Sequence, residues 1–493
     1  MKFMTTDPPP ARNPKAFGLS DLLPAAMVKD LRQSLRSPLY LLLMVLSVAM
    51  LYIFMQPRAG YAAHQLIGNW DTLIFFMTVL LVFFVPAHAA RSIAGDIRER
   101  GSNFLRLCPL SAGRIIWGQF LSGAVQLALL ALSLAPLIHS YQMAASPRFS
   151  WMVDCGIGTL PAYAFCGLTL LMLYLLALFA LAVMMMLAGM PLFLRLLAQL
   201  GVGCIFFEIQ SPSAHFFNRS YLDPDLAQRL LHSGAFLAIL LVIGILCALH
   251  LAKRHYCAFV EVRSGWLRLL ASLFLFSPLL AIKLVNHEVE FGDFIEYSHL
   301  SLGAALIWVL IDELMPRDTA PVKKRRLFPF NRCSSSSSLS CIVLFCGLSV
   351  ALPHIYLACG LFPAETIERT EHLLRFNAMV GMGCLSTCLF CLMLVQLFFK
   401  ANSRARLTGF FLISTVTNIF SFQLYFALQN AFKRDCWVFI PFANVNMPNI
   451  SQIYSNHQLL QAGIVSIICY LLCCISIYAR QAKAPSTARP KKS

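Results

Sequence analysis

Charged side chains are scarce in this chain of 493 residues. Asp, Glu, Lys and Arg together make up 12% of it, against 58% hydrophobic residues, and the mean hydropathy is +0.70. Soluble domains carry about 25% charged residues, so the composition excludes an ordinary soluble protein. Acidic residues are the scarcer sign, with 22 Asp and Glu against 39 Lys and Arg. No basic stripe is interleaved with aromatic residues, which argues against a nucleic-acid partner.

Catalytic and metal-binding motifs are missing as well. The sequence contains no Gly-x-x-x-x-Gly-Lys-Ser/Thr, which excludes a fused P-loop ATPase, and no Gly-x-Ser-x-Gly. His287-Glu288 lacks the second His of a zinc protease. The 17 cysteines lie mostly inside apolar runs, where Cys388 and Cys391 are typical of small packing residues. We therefore expect no enzymatic activity, no metal and no cofactor bound by this chain.

Long apolar runs are what the sequence has in abundance. A hydrocarbon core about 30 Å thick is crossed by roughly 20 helical residues. We predict an all-α polytopic integral membrane protein with about twelve transmembrane helices, near residues 39–55, 72–90, 115–139, 159–187, 190–208, 231–251, 266–285, 299–315, 340–362, 376–399, 407–427 and 457–479.

The basic residues predict the orientation of these spans. With the amino terminus inside, 30 of the 39 Lys and Arg fall in the segments on the cytoplasmic side. Loops rich in Lys and Arg stay in the cytoplasm, and one missed span would invert every later loop. We therefore expect a multi-pass protein of the cytoplasmic membrane with both termini in the cytoplasm.

A polar island interrupts the apolar runs at residues 91–119. It is dense in charge, contains Gly101 and Pro109, and its excess of Arg predicts a cytoplasmic position. Phe104, Leu105 and Leu107 give it one apolar side, which favours a short helix along the membrane surface. The simpler alternative is a juxtamembrane turn shaped only by its positive charge.

This island resembles the coupling loop of type 2 ABC exporter permeases. The matching residues are Arg98-Glu99-Arg100-Gly101-Ser102, Leu105, Leu107, Pro109-Leu110-Ser111 and Arg114. The resemblance implies a permease subunit of an ATP-driven exporter, powered by a separate P-loop ATPase subunit that carries the ATP. It further implies that the ATPase docks on Asp96, Arg98, Glu99, Arg100, Gly101, Leu105, Leu107, Pro109 and Ser111.

The domain organisation follows from these segments. We expect a six-span permease domain at 19–257, with an amphipathic interfacial helix at 19–37 and the coupling loop at 91–118, and a second six-span region at 258–480. Residues 1–18 and 481–493 are predicted cytoplasmic tails, the first disordered. The basic and Ser-rich stretch 316–339 is predicted to be a flexible loop that tolerates insertion after Ser336. The second region is either a diverged repeat of the first or an unrelated extension.

Substrate contacts are the least determined part of the sequence. Most ionisable residues of the spans, including Asp312 and Glu313, lie near span ends, where snorkelling explains them. Glu208 and Lys283 are the two candidates for a cavity. The alternatives to an ABC permease are a self-sufficient twelve-span secondary transporter and a membrane-embedded enzyme. Besides the ATPase and the bilayer, the partner is a second copy of the chain or a different permease.

Overall fold

The computed structural model describes residues 27–28, 31–32, 35–55, 77–88, 95, 112–145, 162–202, 224–255, 264–285, 291–314, 335–359, 367–399, 405–410, 412–414, 416 and 456–482. In these residues every regular element is a helix, and seven helices are long and apolar enough to cross a membrane. The prediction of an all-helical membrane protein is confirmed at this level, whereas the full span count and the location of the termini stay predictions.

Each predicted span overlaps a helix of the described residues. In the first half these are α1 (Pro38–Met55), α2 (Val79–His88), α3 (Ala112–Ala145), α4 (Ala162–Met186), α5 (Leu192–Val202) and α6 (Pro224–Ala252). In the second half they are α7 (Ser264–Val285), α8 (Phe291–Leu314), α9 (Ser335–Ala358), α10 (Ile367–Phe398), α11 (Ala405–Ser414) and α12 (Asn456–Ala482). The seven long apolar helices are α3, α6, α7, α8, α9, α10 and α12.

Composition explains why these segments are helical. Helices α1 and α4 carry no charged residue and are rich in Leu, Ala and Met, which are strong helix formers and suit a helix that is apolar all round. In α7, Pro278 cannot donate to the carbonyl of Phe274. The Ser277 hydroxyl donates to that carbonyl instead, at 2.7 Å, so the helix continues through the proline.

Two pairs of neighbouring helices run parallel, as the predicted order of spans requires. In α4 and α6, Met172 lies beside Gly234 and Phe179 beside Gly244. The later residue of α4 contacts the later residue of α6, so the two helices point in the same direction.

Helices α10 and α12 repeat this arrangement. The Ser466 hydroxyl donates to the carbonyl of Met382, and farther along the Ser476 hydroxyl donates to Gln396. In the predicted topology each pair enters from the outer side and ends at the cytoplasmic side, so the parallel directions agree with it.

Some helix pairs are in contact in both halves. In the first half α1 contacts α3, α2 contacts α4, and α6 contacts both α3 and α4. In the second half the corresponding contacts are α7 with α9, α8 with α10, and α12 with both α9 and α10. In the second half α7 also packs against α8 and α8 against α9, whereas the segment Val79–Phe84 of α2 makes no comparable contact with α1 or α3 in the described residues. The halves join mainly where α6 packs against α7 and α8.

A short π-helix lies in α2, just before the predicted coupling loop. It spans Val79–Phe84, and the N–H of Val85 donates to the carbonyl of Leu80, five residues back. Such a segment takes some carbonyls out of the regular α-helical pattern. The Gln199 amide of α5 donates to the carbonyl of Phe83 at 3.1 Å, which fixes α2 against α5.

The prediction of a flexible loop through residue 339 is wrong at its end. Helix α9 begins at Ser335, so the serine run forms its first turn, and Ser338 and Leu339 are buried. Serine is a favoured residue at helix starts, and neighbouring helices bond the Ser338 hydroxyl. This start of α9 argues against the expected tolerance to insertion after Ser336.

Several other predictions lie partly or wholly outside the described residues. Of the interfacial helix predicted at 19–37, residues 27–28, 31–32 and 35 are helical; Met27 is buried, whereas Arg32, Leu35 and Arg36 are exposed. The amphipathic pattern of this helix stays a prediction. Residues 1–26, 96–111, 203–223, 315–334 and 483–493 are not described.

Candidate functional site: a buried ion network at one end of the bundle

Four consecutive helices bring charged residues to the same end of the bundle. Arg254 follows α6, Arg268 lies in the second turn of α7, and Asp312 and Glu313 lie in the last turn of α8. Ser338 lies in the first turn of α9. Because consecutive helices alternate in direction, the end of α6, the start of α7, the end of α8 and the start of α9 meet at one level. We call these five residues the ion network.

Asp312 is the centre of the ion network. Its side chain is fully buried and forms an ion pair with the guanidinium of Arg254, which also approaches the backbone carbonyl of Asp312 at 3.5 Å. On its other side the Nη2 atom of Arg268 lies 3.8 Å from Oδ2 of Asp312. One carboxylate thus faces two guanidinium groups from two different helices.

Arg268 and Ser338 extend the ion network to Glu313. Arg268 donates to the Ser338 hydroxyl at 2.8 Å, and this hydroxyl donates to Oε2 of Glu313 at 2.8 Å. Arg268 is the largest side chain that the described residues bury completely, and Glu313 is 4% exposed. With two guanidinium groups and two carboxylates, the formal charge of the ion network is zero.

The burial of these groups sets strict conditions on the surrounding helices. Moving an ion out of water costs several kcal/mol even after relaxation, and the cost is met only when the partner charges stay in place. Any movement of α6, α7, α8 or α9 that separates the charges must therefore hydrate them. The ion network holds four helix ends together as long as water is excluded.

Two neighbouring contacts connect the ion network to the first half of the chain. Gly113, in the first turn of α3, lies close to Lys253, the residue before Arg254. A Cβ atom placed on Gly113 would be 3.7 Å from Cε of Lys253. The Nε2 atom of His255 lies 2.8 Å from the carbonyl oxygen of Met186, at the end of α4. The helix that follows the predicted coupling loop, α3, thus lies beside Lys253, and Lys253 directly precedes Arg254 in the chain.

A second set of polar contacts lies in the first half of α8, away from the ion network at the end of this helix. The hydroxyls of Ser277 and Ser301 are 3.0 Å apart and join α7 to α8. Nε2 of His299 lies 2.9 Å from Oδ1 of Asn377, whose amide donates to the carbonyl of Ser349. Polar groups inside a membrane bundle are usually satisfied by neighbouring helices in this way.

The structure places the predicted site residues as follows. The docking residues Asp96, Arg98, Glu99, Arg100, Gly101, Leu105, Leu107, Pro109 and Ser111 lie outside the described residues, as does Glu208. Lys283 is described and exposed, in the last turn of α7, where it lines an open groove between α6 and α7.

Asp312 and Glu313 were expected to snorkel, and the structure corrects this interpretation. Both side chains point into the bundle and bond to residues of α6, α7 and α9. A signal was present in the sequence, because Arg254, Arg268 and the acidic pair all lie within about a turn of span ends that the predicted topology puts on one side. Only the structure shows that these ends are in contact.

The chemistry available at the ion network is electrostatic. Within the described residues no group of three or more His, Cys, Asp or Glu side chains could hold a metal ion. The cysteines that are described, among them Cys388 and Cys391, are free thiols on packed helices. The arrangement can hold helix ends together by charge attraction.

In the residues that the structure describes, these features define the class of the protein: a membrane-type helical bundle with buried ion pairs at one end. Comparison with protein-family models, curated proteins and solved structures finds no match for the chain.

Proposed function

We propose that this chain is the membrane permease subunit of an ATP-driven exporter, energised by a separate P-loop ATPase subunit. The observation that carries the proposal is the packing of α3 beside the segment Lys253–His255, with Gly113 of its first turn close to Lys253. The predicted coupling loop leads directly into α3, and Lys253 adjoins Arg254, which holds Asp312. A push on the loop is thereby transmitted to the ion network.

In this mechanism the ion network is the cytoplasmic gate of the bundle. Docking and closure of the ATPase displace the loop and the start of α3, and α6 moves with it. Separation of Arg254 from Asp312 then allows water to enter between α6 and α8, and the spans rock to release substrate on the outer side.

The matching contacts of the two halves support a diverged repeat as the origin of residues 258–480. An unrelated extension has no reason to share these four helix pairs with the first half. A chain with two such halves has two permease units in one polypeptide, so it needs no second permease chain to form a complete bundle. We include this in the proposal.

A second candidate function is a secondary transporter driven by an ion gradient. The buried carboxylates of Asp312 and Glu313 favour it, because such carriers use intramembrane acids. Proton coupling, however, needs a carboxylate that changes its charge in the cycle. Asp312 lies between two guanidinium groups, an arrangement that suits a permanent ion pair better.

The test is co-purification of the ATPase. Glu99 lies between Arg98 and Arg100 in the predicted loop, and this mixed charge suits a complementary groove on a partner. We expect Glu99→Arg to reduce the amount of a P-loop ATPase recovered with the full chain from native membranes, with normal insertion of the chain. Glu371→Arg is the matched control, since Glu371 is exposed at the opposite end of the bundle.

Full ATPase recovery with Glu99→Arg would contradict docking at this loop. Absence of any P-loop ATPase from the wild-type preparation, together with transport that stops when the ion gradient is dissipated, would favour the secondary transporter.

A further inference from the structure

An apolar groove with a single cation runs along the outer surface of α6 and α7. Its volume is about 570 Å³, within the range of about 300–1,000 Å³ typical of small-molecule sites. One wall is formed by α6, including Val242 and Ile243, and the other by α7, including Leu273, Phe276 and Leu280. Lys283 is the charged residue among those that line it.

The position of this groove matches one leaflet of a bilayer. Along α7 it extends from Leu273 to Lys283, ten residues or about 15 Å of helix. This is about half of a hydrocarbon core of about 30 Å. Both helices belong to candidate membrane spans, Gly234–His255 and Gly265–Leu284, and Lys283 lies at the very end of the second one. The groove therefore reaches from the middle of the bilayer to the headgroup level.

The two ends of the groove differ in chemistry: one is apolar and the other carries a cation. Leu273, Phe276 and Leu280 are between 44% and 51% exposed, although they are apolar, which is expected for residues that face lipid chains. Lys283 forms no ion pair within the described part of the chain. At headgroup depth an ammonium group attracts an anionic lipid, an effect of roughly fivefold in affinity for each basic residue.

We propose that this groove is a binding site for one anionic phospholipid, with an acyl chain against α6 and α7 and the phosphate group at the Lys283 ammonium. The lipid lies in the leaflet opposite the ion network, because Lys283 and Arg268 are at opposite ends of α7. Since α6 also carries Arg254, the bound lipid rests on a helix that the proposed gate must move. The lipid site stands independently of the transport function.

The experiment measures lipid binding to the purified full-length chain in detergent by native mass spectrometry. The probes are phosphatidylglycerol and phosphatidylcholine with identical acyl chains, and inorganic phosphate alone. For the wild type we expect about fivefold tighter binding of phosphatidylglycerol than of phosphatidylcholine, and no displacement of either lipid by phosphate.

Two variants address the two parts of the site. Lys283→Gln should reduce the preference for phosphatidylglycerol to about onefold, whereas Arg375→Gln should leave it at fivefold, because Arg375 is a cation that pairs with Glu371 away from the groove. Leu280→Trp fills the groove and should remove one bound lipid of either type. Leu284→Trp is its control, being 65% exposed on the same helix but outside the groove.

Val242→Phe fills the groove from the other wall and replaces Leu280→Trp if that variant gives too little folded protein. The proposal is overturned if Lys283→Gln keeps the fivefold preference, or if phosphate displaces the lipid. It is also overturned if neither filling variant changes the number of bound lipids, since the groove is then covered by another segment of the chain or by a second copy.

Discussion

At the scale of single residues, Asp312 is the most constrained side chain of the described bundle. It has two guanidinium partners and no access to solvent, so its removal leaves the buried Arg268 and the partly exposed Arg254 with too little negative charge. Breaking a buried ion pair from one side costs about 3–5 kcal/mol, although replacing the whole pair is often neutral. The ion network is therefore evidence of a mutual dependence among four helices rather than of exceptional stability.

The first prediction concerns this dependence. We expect Asp312→Asn to lower the free energy of unfolding by about 3–5 kcal/mol, measured by thermal or denaturant unfolding in detergent. Glu371→Gln, which removes an acid from an exposed pair at 2.5 Å from Arg375, should cost less than about 0.5 kcal/mol. The double variant Arg268→Met with Asp312→Asn restores charge balance and should recover at least half of the loss. Additive losses in the double variant would show that Arg268 and Asp312 are not coupled.

At the scale of helices, the approach of α4 to α6 depends on Gly244. A Cβ atom added there would lie 2.7 Å from Cε2 of Phe179, closer than packed atoms allow. Phe179 in turn packs edge-to-face on Trp308 of α8, at 6.4 Å between ring centroids, so it has little room to move. Small residues at such contacts let two helices approach closely.

The second prediction follows from this contact. Gly244→Ala should lower the free energy of unfolding by about 1–3 kcal/mol through overpacking. Gly347→Ala is the matched control in α9, where nothing lies within 4 Å of the added Cβ, and it should be neutral or stabilising by about 0.5–1 kcal/mol. Phe179→Leu should relieve part of the cost of Gly244→Ala. Equal effects of the two alanines would indicate that helix propensity, and not packing, decides the outcome.

The third prediction concerns three insertions of the same six Gly/Ser residues. After Ser338 the insert separates this residue from the buried Leu339 and Ile342, and we expect little folded protein. After Arg326, in the stretch that its composition predicts to be flexible, we expect normal amounts and normal transport. After Leu107 we expect normal amounts of protein but no transport, because the coupling loop must keep its length to transmit motion from the ATPase to the spans. Membrane fractionation and transport measurement separate these outcomes. Normal transport after the Leu107 insertion would contradict the coupling role of this loop.

At the scale of the whole molecule, the sequence predicted that the described segments are apolar helices, but not which of them are in contact. Apolar runs of sufficient length and the distribution of Lys and Arg predicted spans that all overlap helices, because the bilayer imposes both requirements on the chain. The serine run misled the prediction, since serine favours coil in isolation but starts a helix where Arg268 and Glu313 bond it. The network residues were visible only as isolated charges near span ends. Which ends meet is a long-range property of packing, and no local pattern encodes it.

The parallel directions of α4 with α6 and of α10 with α12 constrain the topology of the molecule. The contacts of Arg254 and Arg268 with Asp312, and of Arg268 with Ser338, place these residues at one end of the bundle. Glu371 lies at the other end, since it precedes Asn377, which bonds to His299 in the early part of α8. The distribution of basic residues then predicts that the end with the ion network faces the cytoplasm.

The last prediction tests this orientation with single cysteines introduced into a variant that lacks the 17 native ones. In intact cells an impermeant thiol reagent should label Glu371→Cys and Ser451→Cys, and should label Ser102→Cys and Ser486→Cys only after the membrane is opened. Ser298→Cys is an internal control that should stay unlabelled in both conditions, because Ser298 is 8% exposed and its hydroxyl bonds within α8 to the carbonyl of Phe294. Labelling of Ser102→Cys from outside would show that the orientation of the bundle in the membrane is the reverse of the predicted one. The ion network would then close the outer end, and a cytoplasmic ATPase could not reach the loop at 91–118.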